Sequence, residues 1–322
     1  EVHLQLMRQR LDDLTEATGH DAAVISEPAQ GAQRGARPGS QLDLIGDVVQ
    51  CKYHGLRFDG SGQCVHNPHG TVIAPAMHLR AFPLVERQGL VWIWMGAPDR
   101  ADPAAIPYLG HVAEPNGLRL ATFYEACPFR YDILVDNLLD LSHADYLHAG
   151  SFAGGAPQSA KTQIVNDGDA ITVIRTQHRA PPLVGYPDRS EVDIELRTRW
   201  HPSQVLMFEI RLAPPGELAT NATRISQFSH AITPETAGTT HYFLLHSWDG
   251  SLSDEAFEER KVGQRMLITT EDLPMLLAVD REMGGKELMD LRPVILPTDK
   301  GAIMVRNRMK QLLSAEARDA AN

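Results

Sequence analysis

Asp136-Asn137-Leu138-Leu139-Asp140-Leu141-Ser142-His143-Ala144-Asp145-Tyr146-Leu147-His148 sets two histidines and several carboxylates on what reads as one short helical segment. His143 and His148 are separated by about 500° on an ideal helix, so their side chains converge only where the helix is irregular or where both reach for one ion. Asp140 lies one turn before His143, on the same side. Two imidazoles and one carboxylate from elsewhere make the ligand set of a facial triad, which leaves positions open on Fe(II) for dioxygen. The same spacing fits an amphipathic helix whose histidines are ordinary polar residues, and spacing alone does not separate the two.

Asn137, Asp140, His143 and His148 spell N-x-x-D-x-x-H-x-x-x-x-H, which resembles the mononuclear-iron motif in the oxygenase (alpha) subunit of Rieske-type non-heme iron aromatic-ring oxygenases. The flanking Asp136-Asn137-Leu138 and the internal Asp145-Tyr146-Leu147 resemble the vanillate and dicamba O-demethylase branch. The resemblance implies iron ligands at His143 and His148. For the third, the stretch 254–283 offers Asp254, Glu255, Glu258, Glu259, Glu271, Asp272, Asp280 and Glu282, most of which read as solvated surface charge. Asp272, in E-D-L-P-M-L, resembles the family phrase whose aspartate completes the triad, although Leu273 stands where the family has lysine. Asp140 is implied to bridge an iron-ligand histidine to a cluster-ligand histidine of a neighbouring subunit in a head-to-tail homotrimer, with His54 in the partner role.

Outward from that stretch, 322 residues with 43% hydrophobic content suffice for a substantial core. No run of about eighteen apolar residues and no basic leader with an apolar centre is present, so the expectation is no membrane span and a cytoplasmic protein. Three cysteines, Cys51, Cys64 and Cys127, are too few and too odd for a disulfide scaffold and read as reduced thiols or metal ligands. A net charge of −11 disfavours nucleic acid, which is bound by neutralising phosphates with Lys and Arg.

Residues 1–41 are dominated by Gly, Pro, Ala, Gln and Arg after a short apolar start and read as a poorly ordered or altered segment. Order begins near Leu44, where apolar and polar residues alternate between Gly-rich turns. Cys51-Lys52-Tyr53-His54-Gly55 is C-x-x-H-G, followed by Leu56-Arg57-Phe58-Asp59-Gly60, and resembles the second half of a Rieske [2Fe–2S] motif. Such a cluster takes two cysteines on one iron and two histidines on the other. The first half, C-x-H, is missing: Gly31 and Gln33 stand at the expected positions, before an Arg34-Gly35-Ala36 tail that still resembles the family's. Glycine has no donor atom and an amide is a poor ligand for an iron–sulfide cluster. The Rieske-like ligand set is therefore incomplete. Cys51, His54, Cys64 and His66, with His69 nearby, superficially fit a zinc site, but reading Cys64 and His66 as strand residues is preferred.

Residues 42–100 thus read as a degenerate all-β Rieske-like domain, with strands at Leu79–Arg87 and Leu90–Met95. The Pro-rich stretch 97–107 is the boundary to a domain over 101–322. Strands at Leu118–Glu125, Ala170–Gln177, Val192–Trp200, Val205–Leu212, Thr223–Ala231 and Thr239–Ser247, with helices at Asp254–Met283 and Lys300–Leu313, suggest one large antiparallel sheet. The resemblance implies a helix-grip (START-like) catalytic domain, giving α+β overall. It also implies a reaction: hydroxylation or O-demethylation of a small, vanillate-like aromatic with O2 and with electrons supplied by a ferredoxin or flavin reductase. His241, Phe243 and Trp248 are candidate substrate contacts, each equally readable as a core residue. Two rivals stand beside this: a cluster-less subunit fed by another protein's Rieske domain, and a non-catalytic helix-grip binding protein.

Overall fold

In Val192–His201 (VDIELRTRWH, β10), Ile194, Leu196, Thr198 and Trp200 fall on one side of the strand and Glu195, Arg197 and Arg199 on the other, which is the period of a half-buried strand. Alternation recurs in β7 (Leu118–Cys127), β9 (Ile171–Ala180) and β11 (Val205–Ala213), whereas the central strands β12 (Thr223–Thr236) and β13 (Thr239–Asp249) are buried on both faces over 228–232 and 242–248. With β8 (Ser159–Asn166) they form one seven-stranded antiparallel sheet in the order β7-β13-β12-β11-β10-β9-β8. This computed structural model describes residues 42–153, 159–168, 170–184, 186 and 190–321. The expectation for residues 1–41 lies outside them.

Directly paired residues share a sheet face. The pairs Phe228↔His246, His230↔Leu244, Phe208↔Phe228, Leu206↔Trp200 and Leu244↔Phe123 therefore define a near face. That face joins one hydrophobic core with the helices laid over it: α2 (Tyr131–Leu139), α3 (Asp254–Met266), α4 (Leu273–Met283) and α5 (Lys300–Ala321). Gly301, at the start of α5, lies so close to β9 that a Cβ there would meet Val173 Cγ2 at 2.4 Å. Arg306 of α5 donates to Asp136 at 2.6–3.0 Å and to Asp132 at 2.7 Å, fixing the two helices to each other. On the far face a short helix, α1 (Gly110–Ala113), inserts His111 between Ser247 Oγ (2.7 Å) and Ser229 Oγ (2.8 Å).

The chain divides into two compact units, Glu1–Ile106 and Pro107–Asn322. The first contains a four-stranded sheet of β1 (Leu42–Ile45), β2 (Val48–Cys51), β3 (Arg57–Phe58) and β4 (Cys64–His66), together with a separate hairpin of β5 (Leu84–Arg87) and β6 (Leu90–Ile93). Gln88 and Gly89 both have positive φ, 56° and 72°, as a two-residue hairpin turn of the mirror-image type demands. The α+β class and the large antiparallel sheet are as expected. Three details differ. The first strand of the hairpin begins only after Pro83, which has no N–H to pair. β8 was not expected, because an exposed edge strand reading SAKTQIVN lacks alternation. The helix expected over Asp254–Met283 is interrupted by a six-residue π turn, Leu267–Asp272. No helix among the described residues is long and apolar enough to cross a membrane.

Burial pushes the His111 imidazole down from 6.5 to about 4, so it is neutral in the fold while the unfolded chain takes up a proton between those values. Stability from this group is complete above pH 6.5 and is lost as pH falls toward 4, by on the order of 3 kcal/mol. Urea titrations of the wild type and His111→Gln across pH 4 to 7 are expected to show a shallower pH dependence in the variant.

Candidate metal centre

The stretch 136–148 is not one helix. α2 ends at Leu139, and Asp140 Oδ1 accepts hydrogen bonds from Ser142 N (2.9 Å) and Ser142 Oγ (2.5 Å), opening a separate 3-10 turn at His143–Asp145. Breaking the helix removes the angular mismatch between His143 and His148. Their Nε2 atoms lie 3.2 Å apart. Asp272 Oδ1 lies 3.2 Å from His148 Nε2 and 3.7 Å from His143 Nε2, and the three ligand atoms all fall within 4.8 Å of one another. Metal–nitrogen bonds of about 2.1 Å at right angles place neighbouring ligands about 3 Å apart, so these separations suit one ion with its protein ligands on one side.

The other ring nitrogens are occupied. His143 Nδ1 is hydrogen-bonded to the Asp140 carbonyl, and His148 Nδ1 donates to Glu271 Oε2 at 2.6 Å, which also accepts from Ser151 Oγ at 2.8 Å. Both rings thereby turn an Nε2 lone pair toward Asp272. Burial opposes protonation of His148, but Asp272 and Glu271 outweigh it and its pKa is raised.

Two consecutive carboxylates reach one imidazole because the π turn is wide. Pro274 cannot donate to the carbonyl one turn before it, and the hydroxyls of Thr269 and Thr270 bond to the carbonyls of Arg265 (2.9 Å) and Met266 (2.7 Å). Asn137 Nδ2, projecting from α2, lies 3.5 Å from Asp272 Oδ1. Glu271 is one of the carboxylates that the sequence offers for the third ligand, and nothing in the period of a regular helix separates it from the solvated ones.

Asp145, between the two histidines, is buried against the sheet. It pairs with Arg175 and accepts from Gln177 Nε2 at 2.8 Å, both from β9 on the near face. The pair ties the histidine loop to the rigid sheet.

The expected substrate contacts divide by strand parity. Trp248 is on the near face, packed on His246 and Phe257. His241 pairs with Thr233 and Phe243 with Ala231, placing both on the far face, where His241 Nδ1 meets Tyr124 OH at 2.9 Å and Phe243 packs on Tyr124. The structure therefore does not bring His241 and Phe243 to the side that carries the triad. The near-face histidines are His230 and His246, and an alternation count back from Trp248 would have found them.

Cys51 is half-buried at the end of β2, in a loop closed by bonds from Gly55 N to Cys51 O (2.8 Å) and from Cys51 N to Leu56 O (2.9 Å), and His54 is exposed. Among the described residues neither joins a group of three side chains able to hold a metal, and the Sγ of buried Cys64 faces the His66 carbonyl at 3.4 Å. The donor set present does not fit a [2Fe–2S] cluster, nor does it assemble the four-residue zinc site.

Two protein families match the chain: the vanillate O-demethylase oxygenase C-terminal domain over residues 128–315, and the Rieske [2Fe-2S] domain over residues 34–83, a match beginning past Gly31 and Gln33. The chain is 34% identical over 281 residues to the oxygenase component of dicamba O-demethylase from Stenotrophomonas maltophilia, covering 85% of this chain and 82% of that one. It is also 34% identical over 284 residues to the oxygenase component of chloroacetanilide N-alkylformylase from Rhizorhabdus wittichii, covering 85% and 80%. Among solved structures, dicamba monooxygenase bound to 3,6-dichlorosalicylic acid aligns with a TM-score of 0.78 at 32% identity, over 88% of this chain and 84% of that one.

Arg175→Met is expected to destabilise the fold by about 3 kcal/mol, because it strands the buried Asp145 carboxylate. Pairing it with Asp145→Leu is expected to recover most of that loss in chemical denaturation.

Proposed function

The chain belongs to the Rieske-type non-heme iron oxygenases of the vanillate O-demethylase branch, and from that premise we propose that it binds Fe(II) through His143 Nε2, His148 Nε2 and Asp272 Oδ1 and demethylates or hydroxylates a small aromatic substrate. The observation that carries this reading is the convergence of those three ligand atoms within 4.8 Å on one side of a shared point. When bound, Fe(II) would supply the oxidation, in which O2, two electrons and two protons convert an aryl methyl ether to a hemiacetal and water, the hemiacetal then collapsing to a phenol and formaldehyde.

The chain's own residues do the positioning. The Asp140 carbonyl and Glu271 hold the two imidazoles in the tautomer that leaves Nε2 unprotonated, Asp272 offsets cationic charge, and Asn137 steadies Asp272. The near-face aromatics beneath the triad exclude water. Residues 101–322 are assigned as the mononuclear-iron domain and 42–100 as the remnant of the Rieske domain. A small aromatic, dioxygen and a ferredoxin or flavin reductase are the partners this reading requires. A homotrimer and a cytoplasmic location belong to the same reading.

One observation favours a variant of it. No cysteine precedes Cys51, so this chain lacks the first cysteine–histidine pair of the cluster motif. A subunit that takes electrons from a cluster on another protein accommodates that loss. The surviving pair, Cys51 and His54, points to a change confined to the first forty or so residues of a complete ancestor.

Iron analysis tests the first reading: wild type is expected to bind about one iron per chain and His143→Ala much less, with equal content overturning the assignment. Glu271→Gln is expected to weaken iron binding by roughly 10–100-fold while leaving the three ligands in place. Visible absorption after iron–sulfide reconstitution tests the second. A Rieske-type spectrum from this chain alone would overturn it.

A further inference from the structure

On the far face, at the end of the sheet where β9, β10 and the turn after β11 meet, lies a cavity of about 340 Å³ lined by His178, Asp193, Glu195, Arg211, Leu218 and Ala219. A β-bulge builds one wall of it. Two residues of β9, His178 and Arg179, stand opposite Asp193 of β10, and Arg179 takes φ 49°, a left-handed conformation that a long side chain adopts at a cost. The bulge aims His178 at Asp193. His178 Nδ1 donates to Asp193 Oδ2 at 3.0 Å, and the backbone amides of Arg179 and Gly216 each donate to the same carboxylate at 3.0 Å. Asp193 is only 1% exposed, but these donors outweigh the effect of burial and hold its pKa below the ordinary value, so it stays ionised.

Two donors in this cavity are left to spare. The His178 side chain is half-exposed, and among the described residues its Nε2, on the ring edge away from Asp193, has no hydrogen-bond partner. Arg211 of β11 gives Nη1 to Glu195 Oε1 at 3.1 Å and brings Nε to 3.9 Å from Glu209, which leaves Nη2 unengaged. The surrounding charges decide what these donors suit. Arg197 also bonds Glu195 Oε1, at 3.2 Å, and Arg224 pairs with Glu209 at 2.7 Å, while Arg179 and Glu191 pair with each other. Arg197, Arg211 and Arg224 therefore balance Glu195, Glu209 and Asp193. A protonated His178 adds one positive charge in excess, which a single monoanion neutralises. A divalent cation on a neutral His178 would instead leave two charges uncompensated.

We propose that this cavity is a second ligand site, on the opposite face of the sheet from the iron triad and independent of it, that takes a small organic monocarboxylate between His178 Nε2 and Arg211 Nη2. Charge-assisted hydrogen bonds from an imidazolium and a guanidinium are the contacts a carboxylate forms best. Asp193 orients the imidazole from behind and supports its positive charge, so the anion binds together with a proton. Leu218 and Ala219 give the organic part of the ligand an apolar surface, and the volume falls in the range of small-molecule sites.

Calorimetry and imidazole NMR on the full chain test this, with benzoate as the probe, benzamide as its uncharged counterpart and inorganic phosphate as a competing anion. Benzoate is expected to shift the His178 imidazole resonance, identified by its loss in His178→Gln, and to bind more tightly at pH 6 than at pH 8. Benzamide is expected to do neither. Arg211→Met is expected to weaken benzoate about tenfold, the effect of one charge-assisted hydrogen bond. Ala219→Glu sets a like charge at the exposed rim without touching the ion pairs, is expected to weaken benzoate by a similar factor, and keeps the test open if a variant of the paired residues does not fold. Benzoate binding unchanged in Ala219→Glu would place the probe elsewhere in the chain and overturn the proposal. Equal binding of benzamide, tighter binding of phosphate than of benzoate, or no binding of benzoate would overturn it too.

Discussion

The candidate centre depends on a widened helical turn. On a regular α-helix consecutive side chains diverge by about 100°, so Glu271 and Asp272 would address different neighbours. The π turn at Leu267–Asp272 lets one reach His148 Nδ1 at 2.6 Å and the other His148 Nε2 at 3.2 Å. Local chemistry enforces it: Pro274 removes a donor, and the Thr269 and Thr270 hydroxyls occupy carbonyls within the widened turn. The clamp on His148 is thus written in a short run of sequence whose composition looks ordinary.

A second irregularity answers the first. Five residues separate His143 from His148, and no continuous helix brings their rings to one point. Asp140 ends α2 and uses its carboxylate to start the next turn and its carbonyl to orient His143. The role implied for Asp140 by resemblance concerned a neighbouring subunit. Within one chain it already has two others, both acting on the ligand loop. Asp145 then binds that loop to β9, so ligands from a loop and a helix are referred to the same rigid sheet.

Much of this was legible in the sequence, for reasons that also mark where reading stops. A long half-buried strand such as β10 declares itself by period two, whereas β13, buried on both faces over 242–248, is read from its apolar and aromatic run. The exposed edge strand β8 carries no such pattern, since neither of its faces must be apolar. His143, His148 and Asp272 were found through motif resemblance and are brought together in the structure. Glu271 was not found, because a carboxylate bound to an imidazole and one bound to water look alike in a helical wheel. His241 and Phe243 were chosen from a strand whose existence was read correctly and whose parity was not. A single-residue step along a strand exchanges the two sides of the sheet.

Charge sets what a centre this buried can hold. Asp272 and Glu271 present two negative charges to imidazoles otherwise shielded from water, and His148 is only 5% exposed at its side chain. Burial lowers the His148 pKa, and the two carboxylates outweigh it and raise it. In the proposed reading, one divalent ion at the three ligand atoms would cancel both carboxylates, and metal and proton would compete for the same lone pair. In that reading Asp272 would offset the ion's charge as a ligand, and Glu271 would do so from behind His148, through the imidazole that it holds at 2.6 Å.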